Sequence, residues 1–105
     1  MRYNCERAMR LTIPAVRVAV SETLVRKHGM SETDVAKGLG IAQAAVSKYI
    51  NGNYSNAIRK VVHVIVSRGI HTVIVNAVLD RKGHAYISGL IDKAASDKAL
   101  VEIAA

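Results

Sequence analysis

Residues 38–53, GLGIAQAAVSKYINGN, carry Gln43, Ser47, Lys48 and Asn51 at successive intervals of four, one and three positions. On a helix that spacing gathers two amides, a hydroxyl and an ammonium group on one side. Amides and hydroxyls offer donors and acceptors together, and lysine adds positive charge. Such a face suits recognition of flat hydrogen-bonding or anionic partners, not bond breaking.

The rest of the chain spells out no catalytic alternative. His28, His63, His71 and His84 include no pair at i, i+3 or i, i+4 and no glutamate-assisted zinc pattern. Asp80 and His84 are four apart, but Gly83 lies between them. His63 and His71 lie in apolar segments and are expected to be partly buried structural residues. GLGIAQ lacks the third glycine of a dinucleotide loop, and no Gly-Lys-Ser/Thr phosphate loop occurs. Ser, His and Asp occur without the spacing of a catalytic set. The expectation is a binding protein, not an enzyme, with no metal and no cofactor.

A chain of 105 residues allows one compact domain with a modest core, or a small domain with an oligomerisation segment. Half of its residues are apolar yet none is Trp or Phe, so Val, Ile, Leu and Ala must build the core, which suits a helical bundle. The net charge is +7, favouring acidic, nucleic-acid or anionic-membrane partners. Residues 1–60 hold ten Lys/Arg against four Asp/Glu, whereas residues 61–105 hold five against four. The basic excess therefore sits with the opening stretch. Cys5 is the only cysteine, so an intrachain disulfide is impossible and a thiol without a role is expected. Arg17, His63, Arg68 and His71 interrupt the apolar runs before the roughly 18 residues of a membrane span, and a soluble, cytoplasmic protein is expected.

Helix signals follow closely along the chain. Thr12 is placed to cap a first helix with Pro14 in its first turn and Gly29 as its stop, and Val16, Val20, Leu24 and Val25 form its apolar stripe. Ser31-Glu32-Thr33-Asp34 resembles a capping box opening a second helix, with Val35, Ala36 and Leu39 inward and Gly38 and Gly40 ending it. A third runs from about Ala42 to Ile50, with Val46, Tyr49 and Ile50 inward and Gly52 as its stop. Ile58, Val61, Val62, Ile65 and Val66 fit a fourth, and Ile70, Val73, Ile74, Ala77 and Val78 a fifth. Because this region is rich in β-branched residues, a winged helix with a β-hairpin at about 61–79 is the alternative. Ile87, Leu90, Ile91 and Ala94 read as a further helix, and Ser96 as the cap of a short last one carrying Leu100 and Ile103.

The second and third helices meet the demands of a helix-turn-helix. Ala36 is small where the helices cross, Gly40 supplies a turn residue with positive φ, and Val35, Leu39, Ile41, Val46 and Ile50 lock the pair. Residues 36–50, AKGLGIAQAAVSKYI, resemble the helix-turn-helix of phage Cro and repressor proteins. More broadly, residues 13–53 are similar to the DNA-binding region of a family of predicted archaeal transcriptional regulators, where it also occurs fused to a thiamine-phosphate-synthase-like domain. Two departures are Gly38, which loosens the end of the first motif helix, and Tyr49, larger than the small residue usual at that position.

The resemblance implies that the helix at about 42–51 enters the major groove of double-stranded DNA, with Ala42, Gln43, Ala44, Ser47, Lys48 and Asn51 toward the bases. Their chemistry agrees, since Gln pairs bidentately with adenine and Ala contacts a thymine methyl. Ser31, Thr33, Lys37, Asn53, Tyr54, Ser55, Arg59 and Lys60 are expected along the phosphate path. The resulting expectation is an all-α helical bundle, with residues 1–56 as the DNA-binding region and residues 57–105 as a helical dimerisation region within a single compact chain. It would act as a sequence-specific transcriptional regulator and a homodimer. Two other functions fit the same residues: a non-specific architectural nucleic-acid-binding protein, and an antitoxin-like module that binds another protein. No polar constellation marks an effector.

Overall fold

The computed structural model describes the backbone of residues 2–104 and the side chains of residues 8–104; the Cys5 thiol lies outside the described residues. Among the described residues seven helices follow one another: α1 (Arg2–Arg26), α2 (Glu32–Leu39), α3 (Gln43–Ile50), α4 (Asn56–Arg68), α5 (Thr72–Leu79), α6 (His84–Ala95) and α7 (Lys98–Ala104). Among the described residues there is no strand. The all-α expectation therefore holds, and the hairpin alternative for 61–79 is replaced by α4, a turn at Gly69 and α5.

The first helix is longer than its sequence signals suggest, beginning at Arg2 and running through Pro14. Thr12 is thus no cap; it lies inside the helix, fully buried, and its hydroxyl has no hydrogen-bond partner. Proline removes the donor that would reach the Arg10 carbonyl, a disruption of about 3 kcal/mol. Ala15, Val16, Val18, Ala19, Val20 and Leu24 are all buried, and each fully buried Val or Leu contributes about 1.5–3 kcal/mol. Burial on this scale outweighs the lost bond. Nor is α1 amphipathic with one stripe: its buried residues run around most of its circumference, because α4, α6, α7, α3, α2 and α5 all pack against it.

One core runs from Ala15 to Leu100 and draws on every helix. The helices beyond residue 57 close this core over α1. Within them, several inward assignments change. Val66 and Val73 are half exposed, at 50% and 55%, because α4 buries Val61, Val62 and Ile65 and α5 buries Ile74, Val75, Ala77 and Val78. Ile70 is half-buried in the turn ahead of α5. Asp97, not Ser96, caps α7: its Oδ1 accepts from the Ala99 and Leu100 amides at 3.0 and 3.3 Å. Ser96 instead ends α6 and donates to the Lys93 carbonyl.

The two histidines of the apolar segments part company. His63 is exposed on α4, whereas His71 is buried at 8% exposure just before α5. Burial pushes the His71 imidazole below the usual histidine range, the nearby Lys27 charge adding to this and the Ile65 carbonyl opposing it. An imidazole depressed in the folded state leaves stability intact above about pH 6.5, the unfolded value. As pH falls below that, the unfolded chain takes up the proton first and stability is lost. The urea midpoint should decline as pH falls below about 6.5, and H71Q should flatten that limb.

No single helix among the described residues is long and apolar enough to cross a membrane, and α4 with α5 passes only as a pair bent by 80°.

Candidate nucleic-acid interface

The motif pair is built from local signals. Ser31 opens α2 from an extended conformation, its Oγ accepting from the Asp34 amide at 3.1 Å, while Glu32 and Asp34 lie where the helix dipole favours acids. At the other end Gly40 takes φ 69°, ψ 34°, and the Ile41 amide reaches back to the Ala36 carbonyl at 3.0 Å. A side chain is disfavoured in that left-handed conformation. Gly38 does not loosen α2, which stays helical to Leu39. A Cβ at Gly38 would stand 2.8 Å from Val78 Cγ1, so the glycine is what lets α2 lie close against α5.

The third helix starts without a side-chain cap, Ala42 having no side-chain oxygen to offer, so the amides of its first two residues have no acceptor within the helix. Val46 is fully buried beneath it, and Tyr49 and Ile50 pack half-buried against the core. The large Tyr49 is thus accommodated as a packing residue. At the far end Asn51 closes the helix, and the Asn53 amide bonds to the Lys48 carbonyl at 2.9 Å across Gly52, which has φ 71°.

Around this axis the expected base-facing residues divide. Gln43, Ala44, Lys48 and Asn51 are exposed, as is Ala42 just ahead of the helix. At roughly 100° per residue, positions 43, 44, 47, 48 and 51 occupy about 140° of the circumference, with Tyr49 and Val46 on the far side and Ile50 bordering the arc beside Gln43. Ser47 lies on the same arc but is half-buried, and its hydroxyl donates to Glu32 Oε1 at 2.6 Å. It is therefore already engaged by α2.

The expected backbone-contacting residues also separate into groups. Thr33, Lys37, Asn53 and Lys60 are exposed. Ser31 and Ser55 are the caps of α2 and α4, Ser55 accepting from the Ile58 amide at 3.2 Å. Lys37 supplies the carbonyl to which His84 Nε2–H donates at 2.6 Å, so α6 is tied to α2 near the turn. Tyr54 and Arg59 stand together, the guanidinium 4.6 Å over the ring. The Tyr54 phenol donates to Glu22 Oε1 at 3.1 Å; burial first, then the Glu22 charge, holds it above the usual tyrosine range.

Two residues absent from the sequence expectation, Glu22 and Arg26, complete the site. Arg26 Nη2 donates to the Ile50 carbonyl at 3.1 Å, and Arg59 Nη2 to the Gly52 carbonyl at 3.0 Å. Positive charge thus meets the last carbonyl of α3 and that of the turn just beyond it, where the dipole is negative. Glu22, Arg26, Tyr54 and Arg59 line an open cleft of about 500 Å³ beside the end of α3. Arg26 is twenty-four positions from its acceptor, so no local spacing could announce it. Among the described residues, no group of three or more His, Cys, Asp or Glu is placed to hold a metal.

Comparison with known proteins agrees with the geometry over the motif. Residues 22–57 match the family model described as helix-turn-helix, a span from Glu22 in α1 to the start of α4. Searches of curated proteins and of solved structures find no match. Residues 22–57 form a helix-turn-helix domain, and DNA is the partner such a domain engages.

Proposed function

We propose that this DNA-binding protein is a sequence-specific transcriptional regulator that places α3 in the major groove. The observation that carries the reading is the division of α3 by face. Val46, Tyr49 and Ile50 are spent on packing, while Gln43, Ala44, Lys48 and Asn51 stand exposed on one arc beside a basic half of the chain. Groups able to tell one base edge from another are presented on a rigid support. The match of residues 22–57 to the helix-turn-helix family model supports the same reading.

One such helix covers only a few base pairs, so selectivity calls for two copies on half-sites about 34 Å apart or a multiple of it. The protein acts as a homodimer in this proposal, and the half-exposed Val66 and Val73 beyond the motif offer apolar surface for the contact. Selection from a pool of random duplexes is the test. It should enrich an inverted repeat with half-sites one helical turn, or a multiple, between centres. Equal retention of all sequences, with binding that simply weakens steeply in salt, would instead make the protein a non-specific architectural one.

A further inference from the structure

We infer that Glu32, from outside the reading helix, sets what Ser47 reads, making the pair select a base edge that offers an amino group. This rests on the proposed reading of α3 as a base-contacting helix. Glu32 is the first residue of α2 and Ser47 lies in the middle of α3, yet Ser47 Oγ is 2.6 Å from Glu32 Oε1. That separation falls in the range of about 2.5–2.7 Å for a hydroxyl donating to a carboxylate. A carboxylate has no hydrogen to give, so the direction of this bond is fixed: the serine hydrogen points to Glu32.

A free serine is ambiguous, since its hydroxyl rotates to donate or accept as the partner requires. Held by Glu32, Ser47 keeps only lone pairs for a base. In the major groove the edges that donate are adenine N6 and cytosine N4, whereas guanine O6 and N7 and thymine O4 only accept. The carboxylate itself adds acceptor character beside the same spot. Both effects favour an amino group opposite Ser47 and disfavour guanine and thymine there. Glu32 is half-buried, so it is held by the packing of α2 on α3, and its influence does not depend on a swinging surface side chain.

The experiment compares wild type, E32A, E32Q and S47A by selection from a random duplex pool, with a thermal melt of each variant to establish that it folds. Wild type should prefer adenine or cytosine at one position of the half-site by about tenfold, as one well-made hydrogen bond allows. S47A should lose that preference, and E32A and E32Q should reduce it to about twofold or less at the same position, leaving the other positions as they were. A uniform rise in affinity for every sequence, from removing a negative charge, with the preference at that position intact, would overturn the proposal. Preference kept by E32A but lost by S47A would overturn the proposal, as would a preference indifferent to S47A. If wild type itself enriches no sequence, the reading of α3 fails, a distinct result from either of these. A variant that fails to fold is replaced by E32D, which keeps the carboxylate on a shorter arm; retention of the preference only where the acid still reaches Ser47 supports the pair, and its retention without that bond overturns it.

Discussion

Gln43→Ala should abolish discrimination at one base pair of the selected site, by about 5- to 100-fold, while leaving the fold unchanged. The first residue of α3 is exposed, so its removal takes away an interaction with the partner and not a packing contact. Surface replacements of that kind stay within about 0.5 kcal/mol in stability. A glutamine amide pairs with adenine N6 and N7 through one acceptor and one donor, and such a bidentate pair is worth about 1–3 kcal/mol against the wrong base. Dissociation constants for the selected site and for its single-base variants, measured with both proteins at one salt concentration, would show it. An unchanged order of preference would mean that Gln43 does not face a base.

Leu24→Ala should cost about 2.7–5 kcal/mol of stability. The side chain is fully buried near the end of α1, the helix against which all six others pack. Its own carbonyl receives the Met30 amide at 3.1 Å, so the residue also closes the chain reversal leading into α2. Against a total of about 5–15 kcal/mol for a domain, such a loss is large. At roughly 4–8 °C per kcal/mol for a chain near this size, the melting temperature should fall by about 10–40 °C. Calorimetry or the loss of helical circular dichroism on heating would measure it. A fall of only a few degrees would contradict the place of Leu24 at the centre of the core. DNA binding by the variant, measured well below its melting temperature, should keep the preferences of the wild type, because none of the exposed residues of α3 is touched.

The two expected losses differ in how far each could be foreseen. Gln43 was legible because its neighbours carry local signals: a cap at Ser31, glycines at 40 and 52, and an apolar set at Val35, Leu39, Val46 and Ile50. Each acts within a few positions, through a turn conformation or a helical period. Leu24 is legible as inward, but the extent of α1 is not, since Pro14 reads as a start when only near neighbours are weighed. Six helices packed against α1 supply the burial that carries the helix through it. Val66 and Val73 stay half exposed for the related reason that periodicity identifies apolar faces and cannot say which part of a wide face is left uncovered. His63 shared an apolar segment with residues of α4 that are buried, yet it points outward.

What the sequence determined by itself was thus the motif: a capped short helix, a glycine turn, and a helix whose exposed arc holds Gln43, Ala44, Lys48 and Asn51. Those are consequences of local stereochemistry and spacing, and they survive unchanged in the folded chain. What tertiary structure decided was everything that depends on a crossing or a long reach. It placed Glu32 against Ser47, fifteen residues apart, brought Arg26 to the end of α3, and gave Gly38 its use as the point of close approach to Val78. Hydrogen bonds and packing across such distances in sequence exist only once α1 has gathered the other helices around it, and no repeat along the chain encodes them.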